Sequence, residues 1–153
     1  MKKIILFAIV LSMLGLNFAK ESEKVPNFLL NSLSGQVVSL DSYTANKDVS
    51  FLVFFTSWCP WCTKQLETFQ EMSKETSAKV QYVAIGFDND KKKVIGKINS
   101  IGVTFPVVMG TSEISEYFKV SGIPVTVVVD KKGKVIDQVV GFRDKKYFSK
   151  FIN

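Results

Sequence analysis

Residues 51–62 read FLVFFTSWCPWC, and both cysteines of the 153-residue chain, Cys59 and Cys62, lie within them. The run 49–55, VSFLVFF, is short, almost continuous, and rich in β-branched and aromatic side chains. A strand buried on both faces reads this way. Beyond it come Pro60 and then Leu66, Phe69 and Met72 at helical spacing. Proline fits the first turn of a helix, where its missing N–H had no partner to lose. The segment therefore predicts a strand, a Cys-x-x-Cys turn and a helix in that order. Cys59 falls at or near the helix N-terminus.

Several chemistries use two cysteines at this spacing. Structural zinc takes four nitrogen or sulfur ligands, and this chain offers two sulfurs and no histidine. A c-type haem site needs histidine directly after the second cysteine, where Thr63 stands. A disulfide closing so short a loop constrains the unfolded chain little. A redox couple remains, and the placement favours it. Unpaired N–H groups and the positive end of the helix dipole stabilise an anion, which lowers the pKa of the Cys59 thiol and activates it. Cys62, one turn further in, is expected to be less accessible and to close back on a mixed disulfide. Cys59 is thus the expected attacking thiol and Cys62 the resolving thiol of a redox-active pair.

Working outward, two more strand-like runs follow at 80–87 (VQYVAIGF) and 125–130 (VTVVVD). Helix-like segments at 91–102 and 112–122 separate them, each closing on a glycine, Gly102 and Gly122. The third run turns at Gly133 into VIDQVVGF, a hairpin signal, and a last helix is expected over 144–151. Before the first run, 25–43 reads as two short strands around a turn at Ser34 and Gly35. Strands alternating with helices and ending in a hairpin imply one α/β domain, a mixed sheet with helices on its faces.

The N-terminal 19 residues read MKKIILFAIVLSMLGLNFA: two lysines, an apolar run over 4–16, then small or polar residues. That is the layout of a secretory signal. The run is short for a membrane span, which needs about 20 apolar residues. Cleavage after Ala19 and retention as an N-terminal membrane anchor are both open, since Asn17 is a poor residue for the cleavage site. The expected organisation is 1–19 signal or anchor, 20–25 flexible linker, and 26–153 folded domain. Export places the cysteines where disulfides persist, on the periplasmic or outer face of the cytoplasmic membrane. The formal charge is +6, but the lysines are scattered or in short runs. They read as solvated faces and not as a nucleic-acid site.

FLVFFTSWCPWC, followed by YFKVSGIPVTVVVDKKGKVIDQVVGF over 117–142, resembles the thioredoxin superfamily. Within it the chain is similar to the exported TlpA/ResA-like thiol–disulfide reductases. The likeness extends to the leading VPNFLL and SGQVVSL and to the unit VIGKINSIGVTFPVV over 94–108. It implies a thioredoxin-like fold: a central mixed sheet flanked by helices, with an N-terminal β-hairpin and a βα insertion. It further implies a cis peptide bond between Ile123 and Pro124, facing the cysteine pair. Ile123 would then meet the substrate, and Trp58 would shield the site; Trp61, between the cysteines, is expected to be exposed and to contact the substrate. For Trp61 the bland alternative is packing onto the leading hairpin. Pro60, between the cysteines, would help to set the potential. The chain departs from the pattern at three places. Val53 replaces a buried aspartate, Gln65 a glutamate after the second cysteine, and Val125 a threonine after the cis proline. Glu67 is expected to face solvent.

The resemblance implies a monomeric reductase of client protein disulfides that needs no cofactor and no metal. Apocytochrome c is a fitting client, and a membrane thiol–disulfide carrier would return the electrons. Running in reverse, the same fold would be a thiol oxidase or isomerase of exported proteins. A copper(I)-binding or client-holding module is a non-enzymatic alternative. A peroxidase would place proline, threonine and cysteine as P-x-x-x-T-x-x-C; Thr56 fits that pattern, but Leu52 stands in the proline position.

Overall fold

The computed structural model describes residues 23–152. The expected signal or anchor segment, 1–19, lies outside the described residues. Twelve elements follow in order: β1 Leu29–Ser32, β2 Val37–Ser39, α1 Asp41–Thr44, β3 Val49–Phe55, α2 Pro60–Glu75, β4 Val80–Gly86, α3 Lys91–Ile101, β5 Val107–Met109, α4 Ser112–Tyr117, β6 Val125–Asp130, β7 Val135–Val140 and α5 Lys145–Ser149. One seven-stranded sheet runs in the order β2-β1-β5-β4-β3-β6-β7. β3 pairs in parallel with β4, and β4 with β5, while β6 and β7 join antiparallel. The leading hairpin β1–β2 closes the other side, antiparallel to β5. It turns at Gly35, whose φ of 89° suits glycine.

β3 sits near the middle of this sheet, and every one of its residues is buried. Its alternation divides the core in two. Phe51, Val53 and Phe55 face α2, with Leu66, Phe69, Met72 and Phe148, in the cluster that also holds both cysteines. Leu52 and Phe54 face the other way, with Phe28, Leu30, Ile114 and Phe118. Burying one such phenylalanine contributes ~1.5–3 kcal/mol. Burial also pushes the pKa of the Tyr82 phenol, beside Phe51, above its ordinary value.

The folded part begins earlier than composition suggests. Lys24 bridges Lys134, the Val25 N–H donates to the Gly133 carbonyl at 2.8 Å, and the Val25 side chain is buried. The final helix is shorter than 144–151, running from Lys145 to Ser149. α3 closes on Gly102 in a left-handed conformation, as expected. α4 does not reach Gly122: its C-cap is Phe118, and Lys119 takes a positive φ of 50°. Lysine fills the position where glycine would cost least.

Candidate active site

The strand–turn–helix reading of 51–62 gives the local geometry. β3 ends at Phe55, and α2 begins at Pro60, with Cys59 as its N-cap in extended conformation. Cys59 Sγ accepts a hydrogen bond from the Cys62 N–H at 3.1 Å, satisfying one of the helix's unpaired donors. The same N–H and the helix dipole would hold a Cys59 thiolate after reduction. Here the two cysteines are joined as a disulfide with Cα atoms 5.2 Å apart. Cys59 keeps 4 % of its surface exposed and Cys62 none, so an incoming sulfur meets Cys59 first.

The turn is held from a residue that the sequence reading missed. Asp88, just after β4, accepts from the Ser57 N–H at 2.8 Å and from the Ser57 hydroxyl. No local pattern flags it, because the two residues are 31 apart in sequence. Asp88→Ala leaves the half-buried Ser57 N–H without its partner, and such a loss costs ~1–3 kcal/mol. Urea unfolding should show a correspondingly lower midpoint, with Asp88→Asn recovering part of it. A midpoint equal to that of the unsubstituted protein would remove Asp88 from this role.

The bond between Ile123 and Pro124 is cis. Pro124 is buried, and its carbonyl accepts from the Gly141 N–H at 2.7 Å. Ile123 packs against the cluster that contains both cysteines. Among the described residues its N–H and C=O make no hydrogen bond, so this backbone is available to an extended peptide.

Both tryptophans are exposed. Trp58 is 72 % exposed. Trp61 is 56 % exposed and does not pack onto the leading hairpin. Its ring stacks on Phe142, just after β7, at 6.1 Å, and Lys64 Nζ lies 4.6 Å from its centroid. Trp61, Gly141 and Phe142 line an open cleft. Phe142 is a second residue that periodicity alone does not reveal.

Beneath the disulfide, Val53 is fully buried and pairs across the sheet with Thr126, so no carboxylate stands there. Glu67 is exposed. Gln65 is fully buried, and its Oε1 accepts from the Arg143 N–H at 2.9 Å. Gln65 Nε2, Thr56 Oγ1 and Thr126 Oγ1 are buried without a hydrogen-bond partner. Among the described residues, no three metal-ligating side chains gather.

Comparison with known proteins agrees with this geometry. The family model described as Redoxin matches residues 20–151. The thiol–disulfide oxidoreductase ResA of Bacillus subtilis is 30 % identical over 135 residues, covering 87 % of this chain and 74 % of its own. A thiol:disulfide interchange protein of the thioredoxin family from Chlorobium tepidum superposes with a TM-score of 0.74. It is 26 % identical, with 85 % of this chain and 93 % of that one covered. StoA from Bacillus subtilis, 24 % identical, shares the fold with a TM-score of 0.69 over 84 % of this chain and 98 % of its own.

Proposed function

The chain belongs to the redoxin family and is a thiol–disulfide oxidoreductase of the ResA/StoA type. From that premise we propose that it is an extracytoplasmic dithiol reductase of client protein disulfides. The observation that carries the direction is how modestly Cys59 is supported. Its Sγ accepts one backbone N–H, and among the described residues no charged donor reaches it. A strong oxidant needs a very stable attacking thiolate. Support from a helix end and one N–H suits a couple that gives electrons more readily than it takes them.

In the forward reaction the Cys59 thiolate attacks one sulfur of the client disulfide. The bond between Cys59 and that sulfur forms, the client S–S bond breaks, and the electron pair leaves on the second client sulfur. Cys62 then loses its proton and attacks Cys59. The Cys59–Cys62 bond re-forms, and the first client sulfur departs as a thiolate, to be protonated from water. The client is reduced by two electrons and the protein is oxidised by two. The free backbone of Ile123 would pair with the client strand, and Trp61 with Phe142 would give it an apolar rest. On resemblance, an apocytochrome c with its C-x-x-C thiols is a fitting client, and a membrane thiol–disulfide carrier re-reduces the protein. The exported location draws on the apolar run at 4–16.

The second reading, a disulfide donor, is favoured by the missing carboxylates at Val53 and Gln65, since negative charge near the pair would disfavour the thiolate. Equilibration of the protein with defined thiol buffers decides between them. A potential near or below about −270 mV is the expected result, and one approaching about −120 mV would overturn the reductase in favour of the donor.

A further inference from the structure

Gln65 follows Cys62 by three residues on α2, so the two lie on one side of the helix, a turn apart. The amide has a fixed orientation. The Arg143 backbone N–H can only donate, so the side-chain atom it meets at 2.9 Å must be the oxygen. Nε2 is thereby turned away from Arg143, buried, and without any partner in the disulfide form. A buried amide donor left unpaired is costly and rare. It is a donor for which the disulfide form supplies no acceptor in reach, neither sulfur included.

Reduction creates one. When the Cys59–Cys62 bond breaks, Cys62 becomes a fully buried thiol or thiolate within the hydrophobic cluster that holds Phe55, Leu66 and Phe69. Burial there raises a thiol's pKa, and a hydrogen bond to the anion lowers it. We infer that Gln65 Nε2 donates a hydrogen bond to the Cys62 thiolate, holding it in its reactive form for the step that releases the client. The inference rests on Cys59–Cys62 being the redox couple and is independent of the direction in which the couple runs. Where a carboxylate would take a proton from Cys62 and then repel the anion it leaves, the neutral amide can only donate. The proton of Cys62 then goes to solvent, and the electron balance of the exchange is unchanged.

The test uses the full-length chain carrying Cys59→Ser, which leaves Cys62 as its single thiol. The thiolate fraction is read against pH by its ultraviolet absorbance and by its rate of alkylation. Gln65→Met removes the donor without adding charge. Gln65→Glu keeps an oxygen for the Arg143 N–H and, read at pH values where the new carboxyl is ionised, removes the donor and adds negative charge. The expected result is a thiolate fraction about tenfold lower at a given pH in Gln65→Met, one pKa unit, and lower still in Gln65→Glu. A fall in Gln65→Met with Gln65→Glu unchanged would assign the effect to the Arg143 anchor and overturn the inference. A fall in Gln65→Glu alone would assign it to charge, with the same consequence, and no change in either would remove the hydrogen bond. The potential of the unsubstituted couple is a separate reading, so an oxidising value would overturn the reductase assignment and leave this one standing.

Discussion

A Cys59→Ser variant should reduce a client disulfide no faster than buffer does, while Cys62→Ser should accumulate a covalent mixed disulfide with the client. The two substitutions remove chemically similar sulfurs, and the asymmetry of the site predicts the different outcomes. Cys59 caps α2, receives the Cys62 N–H and keeps some exposure; Cys62 lies inside with none. Without Cys59 there is no nucleophile that a client can reach, because a serine hydroxyl does not exchange with disulfides. Without Cys62 the attack still proceeds, but nothing returns to cleave the link to Cys59. Non-reducing electrophoresis after incubation with a disulfide client separates these outcomes. If Cys59→Ser accumulates the mixed disulfide and Cys62→Ser does not, the roles are exchanged.

The largest effect on stability is expected from Phe51→Ala. Phe51 is fully buried in β3, and its ring meets Phe69, Tyr82, Phe148 and Phe151 at centroid separations of 5.3–6.5 Å. It therefore joins β4, α2 and the C-terminal helix through one side chain. Truncating a buried phenylalanine to alanine costs ~3–5 kcal/mol, the lost transfer energy plus the cavity left behind. Domains of this size are stable by about 5–15 kcal/mol in all, so the variant should sit close to its unfolding midpoint. Guanidinium unfolding followed by tryptophan fluorescence measures the shift. A change below about 1 kcal/mol would mean that the surrounding rings collapse into the space, contrary to the packing described.

The central strands were legible because burial on both faces leaves a run such as VSFLVFF or VTVVVD with no polar alternation to confuse it. The same holds for the catalytic turn, where Pro60 and two cysteines mark a helix start within four residues. β5 was hidden: three residues after Pro106 carry no period, and the strand exists because β4 and β1 flank it. The end of α4 was misplaced because Lys119, not Gly122, takes the left-handed position, and sequence favours glycine for that conformation. At the site, Cys59, Cys62 and the cis bond before Pro124 lie within recognisable motifs. Asp88, Phe142 and the bond between Gln65 and Arg143 do not. Gln65 and Arg143 are 78 residues apart, and only the closing of the sheet brings them together.

The chain enters the domain at Lys24 and Val25, on the β6–β7 turn. Val49 pairs with Asp130 while Phe54 pairs with Val125, so this entry point and the disulfide lie at opposite ends of β3, about 20 Å apart at strand rise. The protein therefore has a handle and a working tip. A bead, surface or fluorescent tag coupled upstream of residue 23 is joined to the rear of the molecule, and force applied there loads the Val25–Gly133 contact before it reaches the redox loop. Immobilised by that end, the protein presents its sulfur face outward.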